Sequence, residues 1–172
     1  MKIKEIFSPA QIQQRIAELG QEISREYQDQ ELYVVPILTG SLIFAADLIR
    51  QIKGVDLQLH CMAASSYHDS TETSGNVQIN LDLKVDIFNK NILIVEDIVD
   101  TGTTLLKLRE MLEARHPRQI KLASLLSKPG RRIYEISIDY LGFEVENQFV
   151  VGYGFDYQGR MRELPYIGVL AP

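Results

Sequence analysis

The chain has 172 residues, 45% hydrophobic and 24% charged, and its 18 Lys and Arg against 23 Asp and Glu leave a formal net charge of −5. That length fits one domain and that balance excludes a disordered chain, while the acidic surplus argues against bulk nucleic-acid binding. A lone cysteine, Cys61, excludes an internal disulfide framework and a Cys-based zinc site, and the longest apolar run, residues 32–38 with Pro36 inside it, falls far short of the roughly 18 residues of a membrane span. Residues 1–14 hold no signal-peptide core. The expected setting is cytoplasmic, with no membrane partner and no nucleic acid.

Ser8-Pro9 reads as an N-cap followed by a first-turn proline, and Ile12, Ile16, Leu19, Ile23 and Tyr27 recur at steps of three or four, which predicts an amphipathic helix over residues 9–28. Residues 32–38 form an apolar β-type run that stops at Thr39-Gly40-Ser41. Helical spacing then runs over 42–52 and ends before Gly54, the first half of a βαβ unit. Residues 55–63 are a second, mostly alternating β-type run. From 64 to 76 almost no apolar residue anchors the chain, which predicts a long flexible loop. Residues 77–83 alternate like a strand, so the loop suits the tip of a flexible hairpin.

The continuous apolar run at 91–95 predicts a central parallel strand covered on both faces. It enters Glu96-Asp97-Ile98-Val99-Asp100-Thr101-Gly102-Thr103-Thr104, after which Leu105, Leu106, Leu108, Met111 and Leu112 mark a helix. Residues 120–126 predict another central strand, ending at Ser127-Lys128-Pro129-Gly130-Arg131-Arg132. Tyr140-Leu141-Gly142 and residues 148–151 read as two further short strands. With no internal repeat or linker, the alternation predicts an α/β class and one doubly wound domain over 1–172.

In such sheets ligands bind beyond the carboxyl ends of the strands, where strand order reverses. The polar segments 39–41, 96–104 and 127–132 each follow an apolar strand and are the site candidates. A Thr-Gly-Thr-Thr turn opening a helix offers backbone N–H groups and hydroxyls at a positive helix end, which suits a phosphate. Glu96 and Asp97 precede it, with Asp100 three residues on, and such acids suit ribose hydroxyls or Mg²⁺. The lysine of a Walker loop is missing, which disfavours nucleoside-triphosphate hydrolysis. Singly, Asp100 or Thr101 is explained equally well as a helix cap. Three acids and a cradle in one turn are harder to explain that way.

Residues 95–104 resemble the phosphoribosyl-pyrophosphate motif of type I phosphoribosyltransferases, and residues 5–170 resemble the hypoxanthine-guanine branch of that family. The resemblance implies a single domain with a central, mostly parallel sheet flanked by helices and a small hood built from the N- and C-terminal segments. It implies transfer of a 5-phosphoribosyl group from 5-phosphoribosyl 1-pyrophosphate to a 6-oxopurine, with Mg²⁺ as cofactor and a homodimer or homotetramer as the assembly.

Carried over residue by residue, Thr101, Gly102, Thr103 and Thr104 cradle the 5-phosphate, while Glu96 and Asp97 hold ribose hydroxyls or metal. Asp100 is the general base or acceptor at purine N7. Leu38-Thr39-Gly40-Ser41 resembles the first loop, which contacts pyrophosphate through its backbone and implies a cis peptide between Leu38 and Thr39. Many members carry a basic residue where this chain has Thr39, which leaves the backbone as the contact. Arg162 matches an arginine on pyrophosphate. Ser66-Tyr67 resembles the pair of the catalytic lid, here 64–76. Lys128 resembles the lysine that donates to the purine 6-oxo group, a role suited to a group with three donors and no acceptor. Ile98 and Phe149 flank the base, the Val150 backbone reads its edge, and Asp156 takes a second Mg²⁺. Read without that resemblance, Phe149 is a core aromatic. Two alternatives stand beside this reading: a xanthine-preferring or other oxo-base transferase, and a regulator that keeps the fold and binds RNA. The net charge gives the regulator no support.

Overall fold

The computed structural model describes residues 2–67 and 76–171. Among the described residues, ten strands and three α-helices follow one another: β1 (Lys2–Phe7), α1 (Pro9–Glu26), β2 (Glu31–Leu38), α2 (Leu42–Gln51), β3 (Asp56–Leu59), β4 (Met62–Tyr67), β5 (Asn76–Leu81), β6 (Asn91–Val99), α3 (Thr103–Glu113), β7 (Gln119–Ser127), β8 (Tyr140–Glu144), β9 (Val150–Val151) and β10 (Ile167–Ala171). The main sheet runs β5-β4-β2-β6-β7-β8, with β3 also paired to β2. Every pairing in it is parallel except β4 with β5. This is the expected α/β architecture.

Alternation along the central strands sorts the core into two layers, because successive side chains leave a strand on opposite faces. Leu32 and Val34 of β2, Leu93 and Val95 of β6, and Ala123 and Leu125 of β7 face α1 and α2. Tyr33, Val35 and Ile37, Ile92 and Ile94, and Leu122 face α3 through Leu105, Leu108 and Leu112. A capping box starts α1: Gln11 N donates to Ser8 Oγ at 3.3 Å, and Ser8 N donates to Gln11 Oε1 at 2.9 Å. The helix stops two residues short of the expected end because Asp29 turns the chain with φ +58°.

Several boundaries correct the sequence reading. Residues 55–63 are not one strand: β3 pairs with residues 31–34 of β2 and β4 with Ile37 and Leu38, so the chain breaks at His60-Cys61 to use β2 twice. The expected loop at 64–76 is narrower, since residues 64–67 and Asn76 lie in the paired arms β4 and β5. Residues 68–75 of that expected lid lie outside the described residues. The central strand runs on through Glu96 and Asp97 to Val99. The terminal segments do form the expected hood, as a separate antiparallel sheet β1-β10-β9. Among the described residues, no helix is long and apolar enough to cross a membrane.

Candidate active site

Strand order reverses between β2 and β6: the helix after β2 leads to β3 and β4 on one side, and the helix after β6 leads to β7 on the other. The carboxyl ends of these two neighbours carry residues 39–41 and 96–104. A cleft of about 260 Å³ opens there, lined among others by Gly40, Glu96, Asp97, Ile98, Asp100, Thr101, Gly102 and Thr104. The peptide bond between Leu38 and Thr39 is cis. Ser41 is fully buried and its hydroxyl donates to Ile37 O at 2.6 Å, so its side chain serves the turn. Thr39 is exposed.

Glu96 and Asp97 continue β6 past its apolar stretch because β7 keeps pairing with it, Glu96 opposite Ser124 and Ile98 opposite Leu126. Burial pushes the Glu96 carboxyl well above the usual range, and the Asp97 charge adds to the rise. Burial raises Asp97 too, against opposing effects from Glu96, the Ile98 N–H and the Arg162 charge. Ile98 N donates to Asp97 Oδ1 at 2.7 Å. Asp97 also fixes its neighbour's identity, since a Cβ on Gly40 would fall 1.7 Å from Asp97 Oδ2.

The cradle is a helix start without a side-chain cap. Gly102 is the N-cap of α3 in left-handed conformation, φ +87°, and has no side chain to cap the helix, so the Thr103 N–H donates instead to Thr101 Oγ1 at a long 3.4 Å. Thr101 and Thr103 hydroxyls lie 3.2 Å apart. Backbone N–H groups from Ile133 and Tyr134 donate to Thr101 O at 3.0 and 3.3 Å, which fastens the turn from behind. Such an opening suits an anion by geometry and dipole.

Asp100 stands beside it. Arg131 Nε lies 2.8 Å from Asp100 Oδ1, yet that buried oxygen accepts no hydrogen bond. Lys128 is 9% exposed, and its N–H donates to Val99 O at 3.0 Å, which ties the end of β7 to the end of β6. Burial lowers the Lys128 ammonium, Asp100 opposes the shift and Arg131 reinforces it. Lys128 and Arg131 line a second opening of about 460 Å³ with residues 144–147.

Phe149 is 55% exposed rather than a core aromatic, and it meets Tyr157 edge-on with ring centroids 5.8 Å apart. Val150 is buried in β9. Asp156 stands apart from Glu96 and Asp97: its Oδ1 pairs with Arg162 at 2.7 Å and its Oδ2 accepts from Gly159 N at 2.6 Å. Among the described residues, no three acidic, histidine or cysteine side chains gather as a metal cluster. Glu96 and Asp97 alone nonetheless fit Mg²⁺, as adjacent hard-oxygen donors with no cation bonded to them, because that ion is commonly held by one or two carboxylates plus substrate phosphates. Ser66 and Tyr67 lie in β4, opposite Val77 and Asn76.

The structure thus gathers Gly40, residues 96–102 and Thr104 around one cleft; Lys128 lines the second opening, and Phe149, Val150, Asp156 and Arg162 lie on separate segments that do not line the first. Arg131 lies within the candidate segment 127–132; its ion pair with Asp100 and the edge-on contact of Tyr157 with Phe149 are what the sequence did not indicate.

A family model described as a phosphoribosyl transferase domain matches residues 2–158. The hypoxanthine-guanine phosphoribosyltransferase of Mycobacterium avium is 48% identical over 173 residues, covering 97% of this chain and 85% of that one. The hypoxanthine phosphoribosyltransferase of Escherichia coli K12 is 45% identical over 161 residues, covering 92% and 90%. The crystal structure of a hypoxanthine-guanine phosphoribosyltransferase from Bacillus anthracis superposes with a TM-score of 0.93 at 40% identity, covering 99% and 100%. With its motif at the carboxyl end of β6, its reversal of strand order and these relatives, the chain belongs to the phosphoribosyltransferase family, among the hypoxanthine-guanine phosphoribosyltransferases.

Proposed function

We propose that the protein is a purine salvage transferase that converts hypoxanthine or guanine plus 5-phosphoribosyl 1-pyrophosphate to IMP or GMP plus pyrophosphate. The observation that carries this is the start of α3 just after the buried Glu96, its neighbour Asp97 and Asp100, all lining one cleft with the Thr101-Gly102 turn. The C1–O bond to pyrophosphate breaks with its electron pair leaving on pyrophosphate, and purine N9 forms the new bond to C1. The proton on N7 passes to Asp100. Positive charge develops on the ribose and negative charge on the leaving group, so the work is positioning and electrostatic stabilisation.

Each residue has a part in that sequence. The amides and hydroxyls of residues 101–104 hold the 5-phosphate. Glu96 and Asp97 hold the ribose hydroxyls and, with substrate phosphates, Mg²⁺. Dependence on Mg²⁺ is general in the family, and the ion, when bound, neutralises pyrophosphate as a Lewis acid. The backbone of residues 39–41 and the Arg162 guanidinium face pyrophosphate. Lys128 donates to the 6-oxo group and Ile98 and Phe149 flank the purine, with the Val150 backbone at its edge. Asp156 would supply a carboxylate oxygen to a second Mg²⁺. Ser66 and Tyr67 belong to the lid that excludes water. Assembly into a homodimer or homotetramer belongs to the same reading, and exposed Leu42, Leu59, Phe88 and Ile133 are available to it.

A spectrophotometric assay of nucleotide formation with Mg²⁺, offering hypoxanthine, guanine, xanthine and adenine separately, tests the reading. Turnover of 6-oxopurines and none of adenine is expected. A strong preference for xanthine would move the protein to the oxo-base alternative, and no turnover with any purine would overturn the reading.

A further inference from the structure

Gly152-Tyr153-Gly154 is a left-handed run, with φ of +90°, +50° and +101°. Glycine adopts such backbone freely. A tyrosine does not, so Tyr153 persists there because its surroundings hold it. It is 5% exposed, and its N–H donates to Leu164 O at 2.8 Å. Its hydroxyl donates to Asp47 Oδ2 on α2. Asp47 also accepts from Gln13 Nε2 of α1 at 3.0 Å and pairs with Arg50.

The same turn closes on the first loop. A Cβ on Gly154 would lie 2.3 Å from Gly40 O, and Gly154 O accepts from Arg162. Helix α2 starts directly after residues 39–41 and carries Asp47 about 9 Å along its axis, six residues at a rise of about 1.5 Å each. One rigid helix therefore ends in the loop at its start and fastens the glycine turn at its middle.

We propose that Asp47 and Tyr153 are positioning residues for pyrophosphate recognition. Their hydrogen bond sets how closely Gly154 presses on Gly40, and so holds the 39–41 backbone and the Arg162 guanidinium in mutual register. This rests on the reading of residues 39–41 and Arg162 as the pyrophosphate side of the site.

The test compares Tyr153→Phe, which keeps the buried ring and removes the hydroxyl, with Asp47→Asn, which keeps an acceptor oxygen, and with Gly40→Ala. Steady-state kinetics for both substrates, product inhibition by pyrophosphate and a thermal melt are read for each. Tyr153→Phe is expected to raise the KM for 5-phosphoribosyl 1-pyrophosphate and the inhibition constant of pyrophosphate about tenfold, the size of one charge-assisted hydrogen bond. The KM for hypoxanthine stays unchanged, and Asp47→Asn, which keeps an acceptor but loses the charge, shifts the same two constants in the same direction by less. A Tyr153→Phe enzyme that loses only melting temperature, or whose two KM values rise together, overturns the proposal. If Gly40→Ala also leaves the 5-phosphoribosyl 1-pyrophosphate KM unchanged, the reading of the loop fails. If Gly40→Ala raises it and Tyr153→Phe does not, the loop reading stands and the Asp47–Tyr153 proposal fails.

Discussion

The two ends of the cleft are built in opposite ways. The end we assign to ribose and phosphate is one unbroken segment, residues 96–104, in which a strand terminus becomes a helix start and Glu96 is buried. The end we assign to the base is collected from the turn after β7, from β9 and from the segment beyond it, and its aromatic, Phe149, is more than half exposed. On the proposed reading, backbone amides would bind what all phosphoribosyl substrates share, and side chains on separable segments what distinguishes one base from another, so that specificity could shift without disturbing the phosphate side.

Asp100 sits at the seam, and its loss should be felt across the whole comparison. Asp100→Asn is expected to lower kcat on the order of 10²–10⁴-fold, with a smaller effect on either KM, in steady-state assays of IMP formation. A KM effect alone would place Asp100 in binding rather than proton transfer. Next in size is Lys128→Ala, which removes a charged donor to the 6-oxo group. It should raise the KM for hypoxanthine and guanine by about 10–100-fold and leave that for 5-phosphoribosyl 1-pyrophosphate unmoved. If both rise equally, the two ends are not separable as described.

The smallest effect sharpens the phosphate end alone. Burial and the Asp97 charge hold the Glu96 carboxyl well above its ordinary value of 4.5. A raised value in the folded state means that the folded protein keeps a proton that the unfolded chain releases. The stability this adds is complete below the ordinary value and is lost as pH rises through the raised one. Glu96→Gln escapes that loss. In metal-free buffer it should melt about 2–4 °C higher than wild type near pH 8, about 1 kcal/mol for a domain of this size, and the gap should close as pH falls toward 4. A gap that does not depend on pH would refute a titrating Glu96.

The same contrast explains what could be read from the sequence. Residues 96–104 were legible because their chemistry is local: an apolar strand, acids and a Thr-Gly-Thr-Thr turn in succession. The faces of α1 and the central strands were legible through hydrophobic period. Polarity suggested that β6 ends before Glu96, but parallel pairing with β7 carries the strand on to Val99, since ladder bonds ignore side-chain polarity. Strands β1 and β10 find their partners across nearly the whole chain, and neither has a periodic signal long enough to announce that pairing. Phe149 and the Arg131–Asp100 contact belong to the same class, fixed by where distant segments meet. The ends of β4 and β5 were masked by their own polarity, because Ser65 and Ser66 owe their strand conformation to backbone pairing with Gln78 and Val77.

The hood places Val169 between Lys4 on one side and Val150 on the other. Strand β9, whose backbone we assign to the purine edge, is therefore shored up by the first strand of the polypeptide through a single intermediary. The same first strand also reaches the main sheet, where Phe7 stacks on Phe143 of β8 with ring centroids 4.1 Å apart, so a sequence change near the beginning of the chain is felt in both sheets.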